Sequence, residues 1–169
     1  VVEAPCGIGK SFSYLAPAID HALRTETKVI ICTANIALQE QLVTKDLPHL
    51  KELLPEPFRF ELIKGIGNYL CVDRLNDAER ELFSYSEPGQ EDRWQDLVAW
   101  AHDTKTGDSA DLPFVPPDGQ WSRVNGVSDL CTSSQCRFYD TCFAMDARRR
   151  LQKADVIVLS GVPVSANFG

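Results

Sequence analysis

Four of the six cysteines in this 169-residue chain are spaced as metal ligands could be. Cys71 stands alone, whereas Cys131, Cys136 and Cys142 are separated by four and then five residues. Thiolate sulfur favours zinc or iron–sulfur clusters. Structural zinc sites usually contain ligand pairs about two to four residues apart, so this spacing is awkward for zinc. It favours a [4Fe–4S] cluster, whose corner irons accept more widely spread ligands. Zinc is the second interpretation, and inert core cysteines are the third.

A second chemical motif lies at the start of the chain, in the segment Ala4-Pro5-Cys6-Gly7-Ile8-Gly9-Lys10-Ser11. It matches the phosphate loop G-x-x-x-x-G-K-S/T, with Ala4 in place of the first glycine. The glycines let backbone N–H groups turn towards phosphate oxygens. Lys10 is expected to bridge the β- and γ-phosphates and Ser11 to bind Mg²⁺, which makes them the candidate catalytic residues. The predicted ATP-binding residues are Pro5, Cys6, Gly7, Ile8, Gly9, Lys10 and Ser11.

Composition limits the classes of protein to consider. The net charge of −7 argues against a broad basic surface for nucleic acid, so any such contact must be local. A disulfide framework is disfavoured because a phosphate loop implies a reducing compartment, and Cys6 and Cys32 are expected to be plain thiols. No apolar run approaches the roughly 18 residues of a membrane span. Because the chain begins with Val1 inside an apparent strand and no Walker-B carboxylate is recognisable, we expect a fragment with negligible ATP turnover alone.

The order of elements predicts an α/β fold, with a parallel sheet and helices on both faces. Strands are expected at 1–4, 28–32, 60–63 and 156–159, and helices at 11–24 and 35–47. This order breaks after Lys64. Helices are then expected at 70–85, 93–103 and 143–153, around an irregular segment at 104–126 that is rich in Gly, Pro, Asp and Ser. The predicted organisation is a nucleotide-binding domain at 1–63, an insertion at 64–153 and a return to the first domain at 154–169.

Several segments together resemble the iron–sulfur DNA helicases of superfamily 2, the DinG and XPD group, and most of all the DinG type. The resemblance covers essentially the whole chain. It is carried by the cysteine spacing and by the segments 3–11, 33–42, 64–71 and 154–158. It implies a RecA-like motor domain interrupted by a mostly helical iron–sulfur domain. It further implies an ATP-dependent 5′–3′ helicase with a role in DNA repair, acting on single-stranded or forked duplex DNA in the bacterial cytoplasm, at the nucleoid.

The same resemblance suggests residues that contact DNA. Thr33 lies in a segment that touches DNA in the family, and Asn68 and Tyr69 lie in the segment that delivers the first cluster ligand. Arg148 and Arg149 follow the last cysteine, where cations could contact phosphate. Each has an ordinary alternative: Thr33 as a helix cap, the arginines as a solvated helix face, and Tyr69 as packing. Base stacking and core packing are likewise both open for the aromatic residues Trp121, Phe138 and Tyr139.

Two departures from the family pattern and two rival functions stay open. Ile66 stands where the family commonly has Arg, and Ser160-Gly161 stands where it has Asn-His. One rival is a zinc-bound nucleic-acid-binding or scaffold module without catalysis. The other is a phosphate-loop kinase or small-molecule ATPase. No membrane partner is expected for any of these functions.

Overall fold

The structure, a computed structural model, describes residues 10–82, 91–116 and 119–160. The strand predicted at 1–4 and the phosphate-loop residues 5–9 lie outside these ranges, as does Gly161. The described residues form two compact units. The sheet unit contains residues 10–63 and 149–160, and the cysteine unit contains residues 64–148, including all four candidate ligands.

Three parallel strands form the sheet of the sheet unit: β1 (Val29–Thr33), β2 (Phe60–Ile63) and β3 (Val156–Ser160). Their order is β1-β3-β2, and Val156 pairs with both Val29 and Phe60. The central strand β3 is apolar from Val156 to Leu159, and Val156 and Val158 are fully buried. The predicted mixed α/β architecture with a parallel sheet is therefore confirmed for the described residues.

The edge strand β1 differs from its prediction. Its apolar run was expected to be buried throughout, but burial alternates along it. Within the described part of the chain, Ile30 is 43% exposed and Cys32 is also exposed. The described residues therefore leave side chains of this edge strand exposed, although its sequence is apolar.

Helices surround this sheet: α1 (Lys10–Thr25), α2 (Ile36–Gln41) and α3 (Leu47–Leu53). A π-helical turn at Leu42–Asp46 joins α2 to α3, so the single helix predicted at 35–47 contains a change of hydrogen-bond register. Asn35 begins α2 as predicted, because its Oδ1 accepts a hydrogen bond from the Leu38 N–H at 3.1 Å. The buried core of the unit is Leu15, Ile19, Leu42, Leu47, Leu50, Phe58, Val156 and Val158.

The cysteine unit is built from short helices and turns. Its helices are α4 (Val72–Leu82), α5 (Glu91–Asp103), α6 (Gln120–Val124) and the first part of α7 (Phe143–Gln152). Short 3₁₀ turns occur at Ile66–Asn68, Ser109–Asp111, Ser128–Leu130, Ser133–Gln135 and Tyr139–Thr141. The segment 104–126 is less irregular than predicted, since it contains α6 and a 3₁₀ turn. The main buried cluster is Leu70, Leu75, Ala78, Leu97, Ala101 and Val124.

Polar contacts to the backbone connect the pieces of the cysteine unit. Arg74 donates to the carbonyl oxygens of Ser122 and Asn125, and so ties α4 to the end of α6. Gly107 has a φ of 60°, and a Cβ at this position would overlap the Phe143 ring. Its carbonyl accepts the Leu70 N–H at 2.8 Å. Glycine is therefore required at position 107, where this turn meets α7.

None of the helices in the described ranges combines the length and apolar character that a membrane span requires.

Candidate functional site

The same local structure precedes three of the four candidate ligands. Cys131, Cys136 and Cys142 each follow a 3₁₀ turn and have an extended backbone. The N–H of each donates to the carbonyl three residues earlier, over 3.3, 3.0 and 3.4 Å respectively. A 3₁₀ turn followed by a cysteine thus occurs three times in succession. This repeated turn accounts for the gaps of four and five residues between the cysteines, in a segment without longer helices or strands.

Two of the ligands lie at the beginnings of helices. Cys71 directly precedes α4, and Cys142 directly precedes α7. The N–H of Cys71 donates to the Val124 carbonyl at 2.7 Å, while the Cys142 carbonyl accepts the Asp146 N–H at 2.8 Å. A helix N-terminus favours negative charge, so the start of α4 opposes the burial that raises the pKa of the Cys71 thiol.

Both packing and the electrostatics of the Cys71 thiol relate Cys71 to Cys142. Burial raises the pKa of the Cys71 thiol, and the charges of Cys142 and Asp73 add to that increase. Hydrogen bonds from the backbone N–H groups of Arg74 and Asp73 act in the opposite direction. Cys71 and Cys142 are both half-buried, and Cys142 packs against the buried cluster of Tyr69, Ala144 and Ala147. The first ligand is therefore brought close to the last one, although 71 and 142 lie far apart in sequence.

The four candidate cysteines are not all brought together as Cys71 and Cys142 are. Among the described residues, no group of three or more His, Cys, Asp or Glu side chains is arranged to hold a metal ion. Zinc would require all four sulfurs about 2.3 Å from one point. Four cysteines do match an iron–sulfur cluster in type and number, and such a cluster spaces its ligands through its own atoms. The donor set fits the cluster by its chemistry, and Cys131 is the exposed member of the set.

The nucleotide-binding prediction can be followed only at its last two residues. Lys10 and Ser11 are the first two residues of α1, a helix of 16 residues. Lys10 is exposed and Ser11 is half-buried. N–H groups in the first turn of a helix have no partner within it, and they favour anions. The other predicted ATP-binding residues, Pro5, Cys6, Gly7, Ile8 and Gly9, lie outside the described residues, so nucleotide binding stays a prediction.

Thr33, proposed to contact DNA, has a local role in the structure. It is the last residue of β1, and its Oγ1 accepts a hydrogen bond from the Asn35 N–H at 3.1 Å. This contact orients Asn35 as the cap of α2, so the alternative of a capping role describes Thr33 well. This hydrogen bond uses a lone pair of the hydroxyl oxygen and leaves the O–H as the donor for a contact with phosphate.

The segment before Cys71 faces inward at Tyr69. Only 5% of Tyr69 is exposed, and its ring packs with Ala144 and Ala147. A ring this buried offers too little surface for a base, so Tyr69 is better described as packing than as a nucleic-acid contact. Asn68 is half-buried and donates to the Gly65 carbonyl at 3.0 Å. Ile66 packs against the same cluster, which gives an apolar role to the position where the resemblance implies Arg.

The basic residues on α7 are in different environments. Arg148 is exposed, and its Nη1 lies 3.9 Å from the Met145 sulfur, whereas Arg149 is half-buried. Arg150 pairs with Glu61 at 3.5 Å. Arg148 therefore presents more of its surface to solvent than Arg149 does.

The structure also shows contacts that the sequence did not reveal. Trp121 packs edge-on against Trp100, and its Nε1 donates to the Gly67 carbonyl, which favours packing over base stacking. Arg137 pairs with Asp73 across 64 positions in sequence. Neither contact has a spacing pattern that would predict it, because each joins segments far apart in the chain.

Comparisons with known proteins bear on this site as a whole. The chain is 38% identical over 164 residues to the ATP-dependent DNA helicase YoaA of Escherichia coli strain K12, which covers 95% of this chain. It is 38% identical over 175 residues to the ATP-dependent helicase DinG of Mycobacterium tuberculosis, and 32% identical over 188 residues to DinG of Salmonella choleraesuis. These matches cover 94% and 98% of this chain. No protein-family model matches the chain.

The matched region is a small part of each relative. The chain spans about a quarter of their length, namely 24% for YoaA and 26% and 25% for the two DinG proteins. Each match nevertheless covers at least 94% of this chain. The resemblance expected from the sequence is therefore confirmed: this chain is similar, over nearly its whole length, to one segment of the DinG and YoaA type of ATP-dependent helicases.

Proposed function

We propose that this chain is the segment of a DinG-type ATP-dependent DNA helicase that carries the ATP-binding loop and an iron–sulfur domain. The observation that supports it best is the similarity to named ATP-dependent helicases over 94–98% of the chain. The parallel sheet and the position of Lys10 at the start of α1 agree with a RecA-like motor domain. A scaffold module or a small-molecule kinase has no comparable support.

In this proposal the sheet unit binds ATP and Mg²⁺. Residues 5–11 hold the phosphates, Lys10 offsets the charge that develops on them and Ser11 binds Mg²⁺. Residues 1–63 and 154–169 belong to the first motor domain, and residues 64–153 form the inserted domain. Hydrolysis would then drive movement 5′ to 3′ along DNA in the bacterial cytoplasm, in a DNA-repair role at the nucleoid.

The cysteine unit holds the [4Fe–4S] cluster in this proposal, through Cys71, Cys131, Cys136 and Cys142. When bound, the cluster would connect the segment at Cys71 to the three 3₁₀ turns that precede the other cysteines. This suits a region whose turns are too short to fix one another by burial alone. Zinc at the same ligands is the second candidate, and the metal content of the protein distinguishes the two.

The DNA contacts in this proposal are local. Arg148 supplies exposed positive charge, with Arg149 beside it, and Thr33 and Asn68 supply polar groups. Since the chain carries a net charge of −7, these contacts must act through individual phosphates rather than a broad basic field. The preferred substrate is single-stranded or forked duplex DNA.

ATP hydrolysis by the full-length protein that contains this segment tests the motor assignment. We expect single-stranded DNA to stimulate hydrolysis, and Lys10→Ala to abolish it because the phosphates lose their cation. Lys51→Ala is the matched control, since Lys51 is exposed on α3 within the same unit. Hydrolysis indifferent to DNA would instead support the kinase or small-molecule ATPase.

Metal content tests the cluster assignment separately. Protein purified without oxygen should be brown, absorb at about 400 nm and contain iron and sulfide. Cys136→Ser should reduce the iron content, whereas Cys32→Ser should not, because Cys32 lies on β1 outside the cysteine unit. A colourless protein that contains zinc would support the zinc-bound module.

A further inference from the structure

We infer that Arg137 and Asp73 are positioning residues that hold the three later cysteines against the segment carrying Cys71. This inference rests on the proposed iron–sulfur function and adds residues to it. Arg137 directly follows Cys136, and Asp73 lies two residues after Cys71 in the first turn of α4. The pair therefore joins the two parts of the chain from which the cluster would take its ligands.

The geometry of the pair restricts the guanidinium strongly. Nε and Nη2 of Arg137 both donate to Oδ1 of Asp73, over 2.9 and 2.7 Å. The guanidinium carbon also lies 4.8 Å from the centre of the Phe138 ring, which limits its movement from another direction. Two convergent donors and a stacking ring fix an orientation that a single flexible cation would not.

The exposure of this ion pair limits its contribution to folding stability. The side chains of Arg137 and Asp73 are 55% and 41% exposed, and exposed ion pairs contribute little to folding stability. The position of the pair matters more than its contribution to stability, because an altered distance between Cys71 and Cys136 would misplace ligands around a rigid cofactor. Groups beside metal ligands commonly act by orienting them in this way.

Charge supports the same role. Cysteines bind iron as thiolates, so the site gathers negative charge. Asp73 adds another negative charge beside Cys71, and Arg137 offsets it through a direct ion pair at 2.7 Å. Loss of Arg137 would therefore remove the orientation of the loop and leave an uncompensated carboxylate near the ligands.

Cluster retention in the full-length protein tests this role. The variants Arg137→Gln and Asp73→Asn are loaded with iron anaerobically and then exposed to an iron chelator, and the loss of absorbance at about 400 nm is followed. We expect each variant to lose its cluster about tenfold faster than the wild type. The double variant should lose it no faster than either single variant, because both remove the same contact.

A second ion pair in the same unit provides the control. Arg123 and Glu81 lie 3.5 Å apart, are 47% and 71% exposed and join α6 to the last turn of α4. Arg123→Gln should retain iron as the wild type does. Circular dichroism of the iron-free proteins should show equal melting temperatures for all variants, which separates positioning from folding.

The outcomes distinguish this inference from the function on which it rests. A wild type that binds no iron overturns the cluster proposal and the positioning role together. A loaded wild type whose Arg137→Gln and Asp73→Asn variants release iron at the rate of Arg123→Gln overturns the positioning role alone. Rapid release together with a lowered melting temperature in iron-free protein also overturns it, because the pair would then serve folding.

Discussion

The two units of this chain are stabilised by different kinds of contact. In the sheet unit, side chains from helices and strands share one apolar core, and β3 pairs on both sides. The cysteine unit has an apolar cluster too, but in addition Arg74, Trp121 and Asn125 donate directly to carbonyl oxygens of distant segments. Apolar burial is non-directional and tolerates variation, whereas a hydrogen bond requires a particular group at a particular distance.

This difference suits the functions proposed for the two units. A motor domain needs a rigid sheet from which loops project, and a buried parallel sheet provides it. A cofactor domain needs ligands at specified places, and short turns fixed by polar contacts deliver single residues there. The comparison makes two predictions about the free energy of unfolding. In the sheet unit, truncation of the core should cost more than loss of a polar contact. Loss of a polar contact should cost more in the cysteine unit than in the sheet unit.

The largest expected effect is loss of a core ring from the sheet unit. Phe58 is 1% exposed, belongs to the main core and lies 6.2 Å from the Phe60 ring. Phe58→Ala should reduce the free energy of unfolding by about 4 kcal/mol, because it removes apolar contacts and leaves a cavity. Urea denaturation followed by far-ultraviolet circular dichroism measures this change.

Leu53→Ala is the control for the core truncation. Leu53 belongs to the same unit but is 63% exposed, so its truncation should change the free energy of unfolding by less than about 0.5 kcal/mol. Equal costs for the two variants would contradict a core centred on Phe58.

The second prediction removes a polar connection from the cysteine unit. Arg74→Met should cost about 2 kcal/mol, since it leaves the half-buried Asn125 carbonyl and amide oxygens and the Ser122 carbonyl without their donor. All three tryptophans of the chain lie within residues 64–148, so tryptophan fluorescence during urea denaturation reports on this unit.

Arg80→Met tests whether the effect belongs to the contacts of Arg74 or merely to loss of a cation from α4. Arg80 is 72% exposed and lies 4.0 Å from Asp77 on the same helix. Its replacement should leave the fluorescence midpoint nearly unchanged. A comparable shift in both variants would show that the Arg74 contacts have no special value.

The contrast between the units also explains how much the sequence could predict. Apolar runs and helical spacing are local patterns, so they identified β2, β3 and most of the helices. The π-helical turn at Leu42–Asp46 was missed because its apolar spacing still resembles that of one continuous helix. The exposure of Cys32 was missed because burial of an edge strand depends on neighbours that the strand itself does not specify.

The candidate site follows the same rule. Cysteine type and spacing indicated the candidate ligands, and the phosphate-loop pattern indicated Lys10 and Ser11 as candidates, because both patterns are local in sequence. The pairing of Arg137 with Asp73 depends on how a turn meets α4, and nothing near either residue indicates it. The burial of Tyr69 depends likewise on α7, whose contacting residues lie far along the chain.

The smallest effect is expected for a polar connection in the sheet unit. The Lys28 Nζ donates to the carbonyls of Leu151, Gln152 and Ala154, over 2.9, 2.8 and 2.7 Å, where α7 ends. Lys28→Met should cost only about 1 kcal/mol, because Lys28 itself is exposed and water can take the place of its ammonium group. Amide hydrogen exchange in the last turn of α7 should become faster, since that helix end also loses a favourable cation.

Lys51→Met, which removes an exposed cation from α3, should leave exchange at the end of α7 unchanged. The decisive comparison is with Arg74→Met. Both side chains donate three hydrogen bonds, so the count of bonds predicts equal costs, whereas the burial of the donors predicts a larger cost for Arg74, which is half-buried, than for Lys28, which is exposed. A Lys28→Met cost as large as that of Arg74→Met would mean that polar contacts matter equally in both units, and the distinction between them would have to rest on the apolar core alone.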